Sequence, residues 1–179
     1  ATLAEGKTIL SNCAMEPEIV ALAEYLNSVG AKISGAGTPV ITIEGVAKIG
    51  GGEFTTIADR IEAGTFAIMA AATNSELTIS DCRPDHLESL LAMFTKIGVP
   101  YTSTATTLTI LKHGVLKALD IKTHEYPGFP TDLQSPYTIL MTQAEGMAIV
   151  HETIYDRRLL FTDMLTQMGA NIIMCDPHR

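Results

Sequence analysis

The sequence predicts an α/β protein built from repeats of about 70 residues, in which sheets are backed by helices. Three observations support this class. Apolar stretches with a helical period end at a glycine three times along the chain, a similar polar turn and alternating strand precede each stretch, and an extended run follows each one. Because strands and helices alternate, we expect two strongly apolar helices to pack inside and the amphipathic helices to lie outside.

The repeat is visible in the spacing of its glycines. The segments LNSVGAKI, FTKIGVPY and LTQMGANI place Gly30, Gly98 and Gly169 at intervals of 68 and 71 residues. Their starts are offset by 70 residues each: AEGKTILSNC from residue 4, NSELTISDCR from residue 74 and AEGMAIVHET from residue 144. The unit is therefore present about two and a half times, as an incomplete set.

The amphipathic helix of each copy follows this first strand. Pro17 and Pro84 suit the first helical position, where the missing N–H of proline costs nothing. Each helix is expected to end at its glycine, which takes the left-handed conformation easily. The predicted buried positions are Ile19, Leu22, Ala23 and Leu26, then Leu87, Leu90, Leu91 and Phe94, then Leu160, Met164, Leu165 and Met168.

Further strands and the inner helices complete the units. Alternation predicts strands in PVITIEG (39–45), TLTILK (107–112) and NIIMC (171–175). The high apolar content of ADRIEAGTFAIMAAAT (58–73) and PTDLQSPYTILMTQ (130–143) predicts two deeply buried helices, whose Met and Ala residues we interpret as core.

Composition excludes several classes of function. The net charge of −8 argues against nucleic-acid binding, and no apolar run approaches the roughly 20 residues that a membrane span needs. The first ten residues lack the pattern of a secretory signal. Three dispersed cysteines and five scattered histidines form no metal-binding spacing, so we expect reduced thiols and no metal or other cofactor.

Longer motifs resemble one enzyme family. The segments EPEIVALAEYLNSVGAKISG, DRIEAGTF and FPTDLQ, followed by ETIYDRRL, are similar in order and spacing to the UDP-N-acetylglucosamine enolpyruvyl transferases. The resemblance covers nearly the whole chain. It implies a cytoplasmic enzyme of peptidoglycan synthesis and a fold of inside-out α/β barrel type, with helices inside and sheets outside.

The resemblance also implies a domain organisation. Members of the family are more than twice as long, and this chain matches their middle. Residues 1–50 then correspond to part of the last unit of the domain with the mobile loop, and residues 51–179 to two units of the second domain, with the crossing in the glycine-rich stretch 46–58. The expected partners are the substrates and the remainder of the same enzyme, or other copies of this chain. Alone, the chain is expected to be inactive.

Two residues match catalytic positions of the family, whose reaction adds the sugar 3-hydroxyl to C2 of phosphoenolpyruvate and then expels phosphate. Asp132 in FPTDLQ matches the base that receives the hydroxyl proton or positions the hydroxyl; the alternative is a helix N-cap. Arg158 in YDRRL matches an arginine near phosphoenolpyruvate, where a planar guanidinium can bind a carboxylate or phosphate. Arg157 departs from the family pattern, which leaves open which arginine faces the substrate.

Other residues match binding positions. The predicted contacts with the sugar nucleotide are Thr131, Asp132 and Ile154, the last through its backbone. Asp59 and Arg60 match residues associated with domain closure, and they are included among the predicted substrate-binding residues. Asp156 takes a position where the family commonly has Glu, and its charge is also expected to take part in closure. Glu16 and Glu18 either line the opposite wall of the cleft or only favour the helix N-terminus.

Two other functions remain open from the sequence. A shikimate-pathway enolpyruvyl transferase would share the repeat and the type of reaction, although FPTDLQ and DRIEAGTF argue against it. A non-catalytic module that keeps the fold is the second alternative.

Overall fold

The computed structural model describes residues 1–179, which divide into two compact units, residues 1–57 and residues 58–179. The elements of the first unit are β1 (Lys7–Ser11), α1 (Pro17–Ser28), β2 (Lys32–Ser34) and β3 (Val40–Glu44). Its strands form an antiparallel sheet in the order β1-β3-β2. Along β3, Ile41 and Ile43 are buried while Val40 is exposed, as the alternation predicts.

The second unit repeats this sheet. Its first elements are α2 (Arg60–Ala72), β4 (Leu77–Ser80), α3 (Glu88–Ile97), β5 (Tyr101–Ser103) and β6 (Thr107–Ile110), and a 3₁₀ turn at Pro84–Leu87 leads into α3. The antiparallel order β4-β6-β5 matches β1-β3-β2 of the first unit. The predicted repeat of about 70 residues is thus confirmed by the topology of the two sheets.

Left-handed residues occur at equivalent points of the copies. Asn12 follows β1 with a φ of 59°, and Asp81 follows β4 with a φ of 54°. The predicted glycines Gly30, Gly98 and Gly169 have φ values of 108°, 95° and 99°. At these angles a side chain is strained, which explains the recurrence of glycine after each helix.

Two helices form the centre of the second unit, as predicted. They are α2 and α4 (Gln134–Met141), and a 3₁₀ turn at Thr131–Leu133 leads into α4. The helices pack against each other, and Gly64 permits a close approach because a Cβ there would lie 2.6 Å from Cδ1 of the buried Leu133. The prediction of deep burial was wrong for one face of α2, where Phe66 and Met69 are exposed, so Met69 is not a core residue.

The third copy departs most from the prediction. Here β7 (Ile121–Lys122) pairs in parallel with β8 (Val150–His151), and α5 spans only Thr162–Gln167. The predicted strand at 171–175 was wrong. In the first two copies the short strand after the glycine pairs with the strand that follows it, and residues 1–179 contain no such following strand for this segment.

Several predicted buried positions on the amphipathic helices were also wrong. Leu22 of α1 is 55% exposed, and Met164 and Met168 around α5 are 70% and 83% exposed. By contrast, Leu90 and Phe94 of α3 are fully buried against the sheet and α2. The difference follows from packing partners, since Leu90 and Phe94 belong to a core cluster with residues of α2 and β6, whereas Leu22, Met164 and Met168 lie outside that cluster. None of the helices has the length and apolar character required to cross a bilayer.

Candidate functional site

The turn that opens α4 presents Asp132 to solvent. Pro130 is extended, with φ −69° and ψ 136°, and the Leu133 N–H donates to its carbonyl at 3.0 Å, which closes the 3₁₀ turn. Leu133 enters the core in this turn, while the side chain of Asp132 is 52% exposed. Asp132 forms no capping hydrogen bond with the turn or with α4, so the alternative of a helix N-cap does not describe its role.

Arg158 meets this carboxylate. Its Nη2 donates to Oδ1 of Asp132 at 2.5 Å, and its guanidinium carbon lies 5.2 Å from the centre of the Tyr155 ring. The ring contact and the ion pair hold the guanidinium from two sides. Oδ2 of Asp132 makes no hydrogen bond within the chain and is the oxygen left for a ligand.

The neighbouring arginine differs in both conformation and contacts. Arg157 has a φ of 61° and an exposed side chain. A left-handed turn at residue 157 directs the two consecutive side chains to different surroundings, and only Arg158 reaches Asp132. Arg158 is therefore the arginine that joins the predicted base.

A residue that was not among the predicted site residues links the surrounding loops. Glu152 is fully buried directly after β8. Its Oε2 accepts from the Thr131 hydroxyl at 2.8 Å, and its Oε1 accepts from the Thr123 hydroxyl at 3.0 Å. Oε1 also accepts from the backbone N–H groups of Ile154 at 2.8 Å and Tyr155 at 3.2 Å. In sequence this acid resembles an exposed residue at a strand end, and its place as the first residue of ETIYDRRL was the only signal that could have identified it.

This network defines what Ile154 can offer a ligand. Its N–H is already donated to Glu152, and its side chain is half-buried. A backbone contact with substrate, as predicted for this residue, would therefore use the carbonyl oxygen as an acceptor. Thr131, Asp132, Ile154 and Arg158 are brought together by hydrogen bonds to Glu152 and by the single ion pair.

Asp59 and Arg60 lie at the start of α2. Oδ1 of Asp59 accepts from the N–H groups of Ile61 at 2.8 Å and Glu62 at 3.1 Å, so this residue caps the helix. Arg60 is buried, and its guanidinium carbon lies 5.5 Å from the centre of the Tyr126 ring, in the loop that leads to Asp132. The contact of both residues with substrate stays a prediction.

The remaining acidic candidates lie on other segments of the chain. Asp156 is highly exposed and lies 3.5 Å from Nε2 of His178. In the first unit, Glu16 precedes α1 without capping it, and Glu18 lies in the first turn of that helix. Oε2 of Glu16 is buried without a hydrogen-bond partner, for which nothing in the first unit gives a physical reason.

A separate hollow lies in the second unit. It has a volume of about 330 Å³, and α4, the 146–150 loop and residues 171–175 line it together with Leu159. Its lining is mainly apolar and does not include Asp132, Glu152 or Arg158. No group of three or more His, Cys, Asp or Glu side chains is placed to hold a metal ion.

The family model and two curated relatives that match this chain are all described as carboxyvinyltransferases. Residues 1–176 match the family model described as EPSP synthase (3-phosphoshikimate 1-carboxyvinyltransferase). The chain is 50% identical over 173 residues to a UDP-N-acetylglucosamine 1-carboxyvinyltransferase of Solibacter usitatus, which covers 96% of this chain and 41% of the relative. It is 48% identical over 172 residues to UDP-N-acetylglucosamine 1-carboxyvinyltransferase 2 of Geobacillus kaustophilus, covering 96% of this chain and 40% of that relative.

Solved structures support the fold. The enolpyruvyl transferase NikO from Streptomyces tendae superposes with a TM-score of 0.88 at 21% identity, covering 98% of this chain and 42% of that one. This likeness confirms the predicted α/β fold class. The chain spans about 40% of the length of the curated relatives that it matches.

Proposed function

The chain belongs to the EPSP synthase (3-phosphoshikimate 1-carboxyvinyltransferase) family, and on that premise we propose that it forms part of a cytoplasmic enzyme that transfers the enolpyruvyl group of phosphoenolpyruvate to the 3-hydroxyl of UDP-N-acetylglucosamine. This would be the committed step of peptidoglycan synthesis. The curated relatives at 44–50% identity that carry this activity in their names support the choice of sugar nucleotide. The observation that carries the chemistry is the ion pair of Asp132 with Arg158.

Asp132 is proposed to act on the sugar hydroxyl. Oδ1 is held by Arg158, so Oδ2 is free to accept the proton that the hydroxyl loses as its oxygen forms a bond to C2 of phosphoenolpyruvate. A second group of the complete enzyme must add a proton to C3. The resulting tetrahedral ketal then loses a proton from C3 to a base of the complete enzyme as phosphate leaves C2, which restores the double bond.

Arg158 is proposed to bind an acidic group of phosphoenolpyruvate or of the ketal. One of its terminal nitrogens holds Asp132, which leaves further N–H groups of the same plane for a carboxylate or phosphate. The Tyr155 ring limits the rotation of the guanidinium. Arg158 would thereby place the acceptor carbon within reach of the hydroxyl that faces Asp132.

Thr131 and Ile154 are proposed to position the sugar nucleotide. Thr131 is anchored by Glu152, and the carbonyl of Ile154 can accept from a ligand. No cofactor is required for this addition and elimination. The exposed apolar residues of the third copy, such as Met164 and Met168, are proposed to pack against the remainder of a longer enzyme.

The decisive experiment replaces Asp132 in the complete enzyme. Asp132→Asn is expected to abolish phosphate release from phosphoenolpyruvate plus UDP-N-acetylglucosamine, while UDP-N-acetylglucosamine binding measured by calorimetry survives. Asp163→Asn, which removes an exposed acid in the first turn of α5, is the charge-matched control and should retain turnover. Near-normal turnover of Asp132→Asn would remove this residue from the mechanism.

The shikimate-pathway activity is tested in the same assay. The family description names 3-phosphoshikimate, whereas the names of the curated relatives favour the sugar nucleotide. Phosphate release with UDP-N-acetylglucosamine and none with shikimate 3-phosphate is expected. The reverse pattern would overturn the substrate, and absence of release with both would favour a non-catalytic module.

A further inference from the structure

We infer that Glu152 is a positioning residue of the candidate site, whose buried carboxylate fixes Thr131 and the backbone of residues 154–155 in one arrangement and so sets the geometry of the Asp132–Arg158 pair. The inference deepens the proposed function and rests on it for its effect on substrate. Its structural part, the fixing of the two loops, does not depend on the identity of the substrate.

The burial of Glu152 shows that its carboxylate belongs to the structure of the site. The residue is fully buried, and its own N–H donates to the His178 carbonyl at 2.8 Å. A carboxylate removed from water is strongly unfavourable unless its oxygens accept hydrogen bonds. No lysine, arginine or histidine forms an ion pair with it, so hydrogen bonds alone compensate for the loss of water.

Four donors supply those hydrogen bonds. They are the hydroxyls of Thr123 and Thr131 and the N–H groups of Ile154 and Tyr155, at 2.8–3.2 Å. Three of these bonds end on Oε1, whose acceptor positions they occupy, and one ends on Oε2. Because the whole residue is removed from solvent, the carboxylate is not presented to a substrate, which separates Glu152 from a catalytic base.

The donors come from the segments that carry the predicted contacts. Oε2 holds Thr131, whose neighbour is Asp132, and Oε1 holds the N–H of Tyr155, whose ring lies against Arg158. Glu152 therefore holds the residue next to Asp132 in sequence and the residue whose ring contacts Arg158. A shift of Glu152 would change their separation.

Thr123 connects the Glu152 carboxylate to the two-stranded sheet of β7 and β8. Thr123 directly follows β7, and its Oγ1 donates to Glu152 while it accepts from the Thr153 N–H at 2.8 Å. Thr123 is fully buried and is not among the predicted substrate contacts. It offers a way to weaken the carboxylate network without touching a residue of the binding site.

The experiment uses variants of the complete enzyme. In Glu152→Gln, the amide oxygen can replace Oε1, but the amide NH₂ then faces the Thr131 hydroxyl, which must turn to accept. We expect a loss of kcat/KM of about tenfold or more, with KM for UDP-N-acetylglucosamine raised, because hydrogen bonds to charged groups are the stronger class. Thr123→Val should also lower kcat/KM and raise KM, by a smaller factor. Thr123→Ser, which keeps the hydroxyl, should behave as wild type.

A structural control separates positioning from general destabilisation. Tyr137 is fully buried in the same unit, and its hydroxyl donates to the Leu119 carbonyl at 3.0 Å, away from the site. Tyr137→Phe should lower thermal stability without changing KM. In Glu152→Gln, amide hydrogen exchange at Ile154 and Tyr155 should be accelerated by about tenfold or more, whereas Tyr137→Phe should leave these two amides at the wild-type rate.

The outcomes distinguish the two proposals. A wild-type enzyme that releases no phosphate with UDP-N-acetylglucosamine would overturn the proposed function, and hydrogen exchange would still decide the role of Glu152. Unchanged exchange at Ile154 and Tyr155 in Glu152→Gln, or an equal acceleration in Tyr137→Phe, would overturn the positioning role. With an active wild type, Thr123→Val and Thr123→Ser of equal KM would overturn it as well.

Discussion

Nη2 of Arg158 lies 2.5 Å from Oδ1 of Asp132, which joins two residues that are 26 positions apart in the chain. Both side chains are partly exposed, so the pair adds little to stability, on the order of 0–1 kcal/mol. Its importance lies in geometry, because it occupies one oxygen of the proposed base and one terminal nitrogen of the proposed anion-binding group. The remaining atoms of each group are left for substrate.

The planar guanidinium of Arg158 should be required in addition to its charge. We expect Arg158→Lys in the complete enzyme to lower kcat/KM by about tenfold to a hundredfold, because an ammonium cannot hold Asp132 and an anion in one plane. Steady-state phosphate release measures this. Arg157→Lys is the matched control, and it should stay within about twofold of wild type because Arg157 is exposed and does not reach Asp132. A larger effect at Arg157 than at Arg158 would reverse the assignment.

Asp59 should contribute to stability as a helix cap. Asp59→Ala removes the acceptor for the N–H groups of Ile61 and Glu62 and should lower the free energy of unfolding by about 1 kcal/mol. Asp59→Asn keeps a capping oxygen and should cost much less. Urea denaturation of the complete protein compares the two. A raised KM in Asp59→Asn would show instead that the charge of this residue contacts substrate, as the family resemblance implies.

The thiol of Cys82 should be unreactive in the folded protein. Burial raises the pKa of Cys82, and its Sγ donates to the Ile79 carbonyl at 3.4 Å. Little thiolate is then available at neutral pH, and the buried sulfur is inaccessible. Cys175 is exposed and should react with a disulfide reagent first. Labelling followed by mass spectrometry gives the order, and early modification of Cys82 would argue against its buried position.

The buried phenol of Tyr137 should make stability depend on alkaline pH. Burial, and to a smaller extent the charge of Asp120, raises the pKa of Tyr137 above its ordinary value of 10.0. The raised folded-state pKa contributes stability that is fully present below about pH 10 and is lost as pH rises beyond it. The free energy of unfolding should therefore fall more steeply above pH 10 in wild type than in Tyr137→Phe. Parallel curves for the two proteins would contradict this.

The repeat could be predicted from sequence because it depends on local rules. Gly98 ends α3 in the left-handed conformation, and Pro84 opens the turn before that helix, so both residues act through their own backbones. The alternation of Ile41 and Ile43 with more exposed neighbours is likewise a local property. Such local signals can be recognised in the sequence without knowledge of the remaining fold.

Predictions failed where structure depends on a distant partner. The NIIMC segment has a strand-like sequence, but a strand also needs a neighbour, and residues 171–175 have none. Met164 and Met168 have helical spacing without a surface to cover them. Glu152 shows the opposite case, since its burial is set by donors 20 to 30 positions earlier in the chain that no local pattern reveals.

The candidate residues likewise differ in whether their roles depend on local sequence or on contacts between distant residues. Asp132 and Arg158 were identified through their matching motifs, and their contact emerged only in three dimensions. The capping role of Asp59 involves only the first turn of α2 and was found in the structure. Its predicted substrate role rests on resemblance.

The matching sheets β1-β3-β2 and β4-β6-β5 have an evolutionary consequence. Duplication of one ancestral module would supply the scaffold twice, while Asp132, Glu152 and Arg158 lie in connecting turns and loops outside both sheets. A lineage could therefore exchange these segments, and with them the proposed substrate contacts, while inheriting the scaffold unchanged. Selection for new substrates would act on the short connecting segments first.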